Sequence, residues 1–137
     1  MVERVEKSTA LRRGKKQDKL IRAIEYIKTH LTKSPSLQET AGHIQVSSSY
    51  LSKIFIDCLY TPYSVFVLNE KILYAQKLLV DSEMSMTEIA GAAGFSSNSY
   101  FSDCFKRITG ISPLQFRKAY TTEGGGANSQ IERKAWL

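Results

Sequence analysis

The sequence lacks any long apolar run. No stretch of the 137 residues approaches the roughly 20 consecutive apolar residues that a membrane-spanning helix needs. The first residues also lack the apolar core of a signal peptide. We therefore expect a cytoplasmic protein without a membrane partner.

Cysteine and histidine are scarce, with two residues of each. Cys58 and Cys104 form no C-x-x-C pair, and His30 and His43 have no ligand-like spacing to them. Two distant cysteines exclude a disulfide framework, and we find no constellation of a nucleophile with a base. We expect no catalytic residue, no metal and no cofactor, so the chain is not predicted to be an enzyme.

Alternating apolar and polar residues, the pattern of strands, are absent over any useful length. The apolar residues instead follow helical spacing, as in the first clear stripe, Leu20, Ile24, Ile27 and Leu31. The fold class predicted from this periodicity is all-α.

Positive charge is concentrated near the start of the chain. The net charge is +6, and residues 1–22 contain 8 Lys or Arg against 3 Asp or Glu. Residues 23–122 contain 9 against 8 and are almost neutral. We therefore separate a basic N-terminal arm or linker, residues 1–18, from the folded part. The arm favours nucleic acid as a partner, although a solvated linker has the same composition.

The strongest organisational signal is an internal repeat. Two segments share a capping-box pattern, a small residue and an aromatic pair at offsets of 49 and then 50 residues: Ser36, Glu39, Ala41, Ser47, Tyr50 and Phe55 recur as Ser85, Glu88, Ala90, Ser96, Tyr100 and Phe105. Each segment predicts a short capped helix, a tight turn and a longer helix. Two such units, joined by a helix from Tyr63 to Val80, are two helix-turn-helix motifs.

The second helix of each unit has an outward face, which remains after its apolar stripe is subtracted. These faces comprise Ser49, Ser52, Lys53 and Ile56 in the first unit, and Asn98, Ser99, Ser102, Asp103 and Lys106 in the second. Short polar side chains let a helix approach base edges. There Lys53 can donate to guanine, Asn98 can pair with adenine, and Asp103 can accept from cytosine. Any surface helix has such a stripe, however, so a protein-interaction module with weak DNA binding is the alternative.

Two runs of sequence resemble the DNA-binding domain of AraC/XylS-type transcription regulators. They are SLQETAGHIQVSSSYLSKIF (residues 36–55) and MTEIAGAAGFSSNSYFSDCFKRITGISPLQFR (residues 86–117). The resemblance covers residues 19–120 and leaves residues 121–137 as a flexible tail. It implies seven helices, with recognition helices that enter successive major grooves of double-stranded DNA.

The resemblance also implies which residues contact DNA. Ser49, Ser52 and Lys53 take the base-reading positions of the first unit, and Asn98, Ser99, Tyr100, Ser102 and Asp103 take reading or backbone-contacting positions in the second. We add Ser48, Ser97 and Lys106 to this DNA-binding set. RNA polymerase, and a sensing or dimerisation domain outside this chain, are further partners that such a regulator implies.

Four residues depart from the family pattern. Gln45 and Tyr60 stand where glycine is usual, which predicts non-glycine residues at positive φ. Asp103 replaces a frequent arginine and Asp57 a preferred lysine, and each exchange adds repulsion toward phosphate.

Overall fold

The computed structural model describes residues 2–121, with the side chains of residues 14–121. Within that range the chain is all-helical and contains seven α-helices, a short 3-10 turn at Leu31–Lys33 and no strand, as predicted. The helices are α1 Val2–Thr29, α2 Leu37–His43, α3 Ser48–Leu59, α4 Tyr63–Asp81, α5 Met86–Ala92, α6 Asn98–Thr109 and α7 Pro113–Thr121. The chain divides between Leu68 and Asn69 into two compact units.

Helix α1 begins earlier than its apolar stripe. It starts at Val2 and runs unbroken to Thr29, so the backbone has no break near the predicted boundary at residue 18. The backbone of the basic arm is therefore helical over residues 2–18. The predicted tail, from residue 122 onward, lies outside the described residues.

The first unit has one apolar core to which its helices contribute in turn. Ala23 and Ile27 from α1, Leu51 and Phe55 from α3, and Ala41 from α2 are almost completely buried. Ala41 is the small residue that the repeat places where α2 and α3 approach each other. Burying a side chain such as Leu51 or Phe55 contributes roughly 1.5–3 kcal/mol relative to leaving it in water.

A buried polar junction joins the start of α4 to α2 in the first unit. The hydroxyl of Tyr63, the first residue of α4, donates to the carbonyl of Pro35 at 2.9 Å and lies 2.6 Å from Oγ1 of Thr40. Burial raises the pKa of Tyr63. The hydrogen bonds compensate for removing two hydroxyl groups from water.

The core of the second unit is dominated by aromatic rings. Phe95, Phe101, Phe105 and Phe116 form a chain of contacts with centroid separations of 5.1, 5.7 and 5.4 Å. The Arg117 side chain donates to the carbonyls of Leu79 and Ser82, at 2.9 and 3.2 Å. It thereby satisfies acceptors at the end of α4 that have no partner within the helix.

A serine caps each of the two helices in both helix-turn-helix motifs. The predicted capping box at Ser85 and Glu88 is complete, with bonds of 3.1 and 3.0 Å. In the first unit Ser36 accepts from the Glu39 amide at 3.0 Å, which is one of the two bonds of the box. Hydrogen bonding to Ser85 lowers the pKa of Glu88.

Between residues 2 and 121, three non-glycine residues have positive φ: Ser34 (55°), Gln45 (63°) and Tyr60 (53°). Gln45 and Tyr60 confirm the expectation from their missing glycines, whereas Ser34 was not anticipated. The equivalent turns of the second unit use Gly94 and Gly110, with φ of 87° and 89°. Glycine adopts this conformation without a Cβ clash.

No single helix in the part of the chain that the structure describes is long and apolar enough to cross a membrane. Helices α3 and α4 reach that length and composition only when they are taken together, and the chain bends by 66° between them.

Candidate nucleic-acid interface

The reading face predicted on α3 is partly exposed. Ser47 caps the helix by accepting from the Tyr50 amide at 3.1 Å, which sets where α3 begins. Ser49 and Lys53 are exposed, as is Ile56, whereas Ser48 and Ser52 are half-buried. The face available to a ligand therefore centres on Ser49 and Lys53.

The face predicted on α6 is more open. Every predicted contact residue of this helix is exposed: Asn98, Ser99, Tyr100, Ser102, Asp103 and Lys106. Interaction with the Cys104 side chain raises the pKa of Tyr100. The buried side of the same helix consists of Phe101, Cys104 and Phe105.

Ser97 has a structural role that the sequence did not separate from DNA binding. Its Oγ accepts from the Tyr100 amide at 3.1 Å and caps α6. Such a cap satisfies an otherwise unpaired amide of the first helical turn. The hydroxyl hydrogen of Ser97 can still donate to a second acceptor.

Asn98 is held by a residue that the sequence analysis missed. Its Nδ2 donates to Oγ1 of Thr87 in α5 at 2.7 Å. The amide keeps its second Nδ2 hydrogen and its Oδ1 for another partner, and these are the two groups that a bidentate contact with adenine uses. Thr87 therefore orients the side chain from the preceding helix of the motif.

Asp57, predicted to repel phosphate, has a cationic partner. Nζ of Lys16 in α1 lies 3.0 Å from its Oδ2. Nearby, Nζ of Lys19 lies 5.3 Å from the centre of the Tyr50 ring. No sequence signal indicates the Lys16 pairing, because the two residues are 41 positions apart.

Both helix-turn-helix motifs present the polar side of their second helix at the protein surface. Across the side chains that are described, no three His, Cys, Asp or Glu residues come together as metal ligands would. What each unit presents is a capped helix with an apolar buried side and an exposed side of short polar groups and lysine. A short helix, a tight turn and such a presented helix, occurring twice, define a double helix-turn-helix domain.

Comparisons with known proteins identify the family. The sequence-family model for a helix-turn-helix domain matches residues 40–119. The uncharacterized HTH-type transcriptional regulator YfiF of Bacillus subtilis is 40% identical over 95 residues, which cover 69% of this chain and 30% of that protein. Regulatory protein PocR of Salmonella typhimurium is 31% identical over 73% of this chain and 33% of its own length.

Solved structures give the same result. An AraC-type transcriptional regulator from Chromobacterium violaceum superposes with a TM-score of 0.75 at 28% identity, covering 80% of this chain and 96% of that one. The DNA-binding domain of AdpA, solved with a target DNA, gives 0.69 at 27% identity over 74% and 91% of the two chains. The chain belongs to the AraC-type helix-turn-helix family. It spans about a third of the length of the curated relatives described above.

Proposed function

We propose that this chain is the DNA-binding part of a sequence-specific transcription regulator, with α3 and α6 as recognition helices in successive major grooves. The observation that carries the proposal is the pair of serine-capped helices, each exposing short polar side chains. The family membership supports it, and so does the structural likeness to a domain solved in complex with DNA.

Within this proposal the exposed side chains have distinct roles. Lys53 donates to guanine from α3, and Asn98 pairs with adenine from α6. Ser49, Ser52, Ser99 and Ser102 supply short hydroxyl groups that allow close approach to base edges or phosphates.

The regulator acts in the cytoplasm, where bacterial DNA lies, and has no enzymatic activity of its own. RNA polymerase and a sensing or dimerisation domain are its further partners. The curated relatives are about three times as long as the matched segment, which supports a sensing or dimerisation domain. RNA polymerase is proposed because a transcription regulator acts on its activity.

Selection of bound sequences from a random duplex library, followed by footprinting, tests the proposal. We expect a preferred sequence and protection of two major-groove segments about 34 Å apart, one helical turn. Lys53→Ala and Asn98→Ala should each weaken specific binding by about 1–3 kcal/mol and relax preference in one segment only.

Lys28→Ala is a matched control, because Lys28 is exposed on α1 and lies outside the predicted contact set. If the selection enriches no sequence, the proposal is contradicted and the protein-interaction alternative is favoured. Equal losses by Lys53→Ala on selected and random DNA would make Lys53 a phosphate contact. Protection of a single segment would count against the use of both units.

A further inference from the structure

Helix α1 places two lysines against the proposed recognition helix of the first unit. Lys16 pairs with Asp57 at 3.0 Å, and Lys19 lies over the Tyr50 ring at 5.3 Å. Tyr50 and Asp57 are seven residues apart, two turns of α3, and therefore lie on the same side of that helix. The two contacts thus align α1 along one flank of α3.

This flank adjoins the side chain proposed to read bases. Lys53 is three residues after Tyr50 and four before Asp57, so it neighbours both on the helix surface. Three lysines, Lys16, Lys19 and Lys53, therefore lie on or beside this flank together with Asp57. These four side chains retain a net positive charge after Lys16 and Asp57 are paired.

The Lys16–Asp57 pair can be exchanged for another partner. The side chains remain 39% and 36% exposed, so water and salt reach both charges. Exposed pairs of this kind contribute little to stability because solvent screens them. Hydrogen bonding to Asp57 raises the pKa of Lys16.

We propose that Lys16 and Lys19 form a phosphate-binding site on the flank of α3, at which a DNA phosphate replaces Asp57 as the partner of Lys16. The inference rests on the proposed function, because it requires α3 to occupy a major groove. That groove is about 12 Å wide and a helix with its side chains is about 10–12 Å across, so the flanks of the helix face the two phosphate walls.

The site also changes the role of Asp57. Alone, its carboxylate would repel the phosphate that passes this flank. Paired with Lys16, it holds the ammonium group beside the groove before DNA arrives. Asp57 therefore positions the cation and limits its attraction for DNA at the same time.

Binding to a mixed-sequence duplex, measured over a range of salt concentrations, tests the site without knowledge of the operator. Each lost phosphate contact lowers the slope of log K against log salt by about 0.9. Between 50 and 200 mM salt, wild type should therefore lose about 3.5-fold more affinity than Lys16→Met. Lys19→Met should behave in the same way.

A double-mutant cycle separates a contact from charge neutralisation. If Lys16 binds phosphate, Lys16→Met lowers both the affinity and the slope in the wild type and in the Asp57→Asn background. If Lys16 only neutralises Asp57, the substitution has no effect in the Asp57→Asn background, and the proposal is overturned. Asp57→Asn alone should tighten binding.

Lys28→Met is the control, since it removes the same charge from the same helix about 18 Å along its axis. An equal loss from Lys28→Met would show that only the general field of α1 matters, which also overturns the site. Circular dichroism checks folding, and Lys16→Gln repeats the test with a polar side chain. Because the probe has no defined sequence, failure to select an operator would contradict the proposed function without altering this result.

Discussion

Replacing Tyr60 with glycine should stabilise the first unit. Tyr60 ends α3 at φ 53° and ψ 32°, and its amide donates to the Ile56 carbonyl at 2.9 Å. The Tyr60 side chain is 89% exposed, so its removal costs almost no buried apolar contact. The substitution therefore acts on backbone conformation.

Two opposing free-energy terms determine how much Tyr60→Gly stabilises the first unit. The left-handed conformation costs a residue with a Cβ roughly 1–2 kcal/mol, which glycine does not incur. Glycine in turn loses about 0.5–1 kcal/mol more conformational entropy on folding. At the midpoint of each range the difference is a gain of about 0.75 kcal/mol, which for a unit of this size raises the midpoint of thermal unfolding by roughly 3–6 °C.

Urea and thermal unfolding followed by circular dichroism measure the change. Tyr60→Ala is the matched control, because it removes the ring but keeps the Cβ and should not give the gain. Gly110→Ala is the reciprocal test at φ 89°, where no atom lies within 4 Å of the added Cβ, and it should destabilise through the backbone alone. A Tyr60→Gly variant no more stable than Tyr60→Ala would refute the reasoning.

Three further predictions concern the second unit. Thr87→Val should reduce discrimination at the base pair that Asn98 contacts while Thr87→Ser preserves it, as measured on single-base variants of a selected site; equal loss in both would argue against orientation by the hydroxyl. Asp103→Asn should raise affinity for cognate and scrambled duplexes alike because it removes repulsion of phosphate, and a loss on the cognate duplex alone would instead show base reading. Glu88→Gln should have a lower free energy of unfolding than wild type above the ordinary Glu pKa of 4.5. The two free energies should converge as pH falls through the lowered pKa of Glu88, because the contribution of the carboxylate is lost when it is protonated. A difference that is independent of pH would exclude this charge effect.

Local sequence rules predicted most of the fold. The spacing of serine and glutamate located the caps at Ser36 and Ser85, and apolar periodicity placed α3, α4 and α6. These features depend on residues within one or two helical turns, which is why a single sequence contains them. The positive φ of Gln45 and Tyr60 was expected instead from the resemblance to the family, which usually has glycine at both positions.

Contacts between distant residues could not be predicted in this way. Lys16 meets Asp57 across 41 positions, and Thr87 meets Asn98 across 11 and a turn. Composition favoured a basic arm or linker because half of residues 1–18 are charged, whereas the backbone of this segment continues α1. The roles of the exposed faces on α3 and α6 in base reading stay predictions, since exposure does not identify a ligand.

The junction around Tyr63 has a consequence for how the sequence of this domain can vary. Contacts between apolar side chains tolerate small shifts of one helix against another. The buried Tyr63 hydroxyl, bonded to the Pro35 carbonyl and to Thr40, instead fixes both the distance and the direction between the start of α4 and α2. Losing one hydroxyl group leaves the other buried with fewer partners, at a cost of about 1–3 kcal/mol. Replacing both with apolar groups removes that mismatch and leaves only the Pro35 carbonyl without its donor. Positions 40 and 63 should therefore change together among related chains, as one inherited pair.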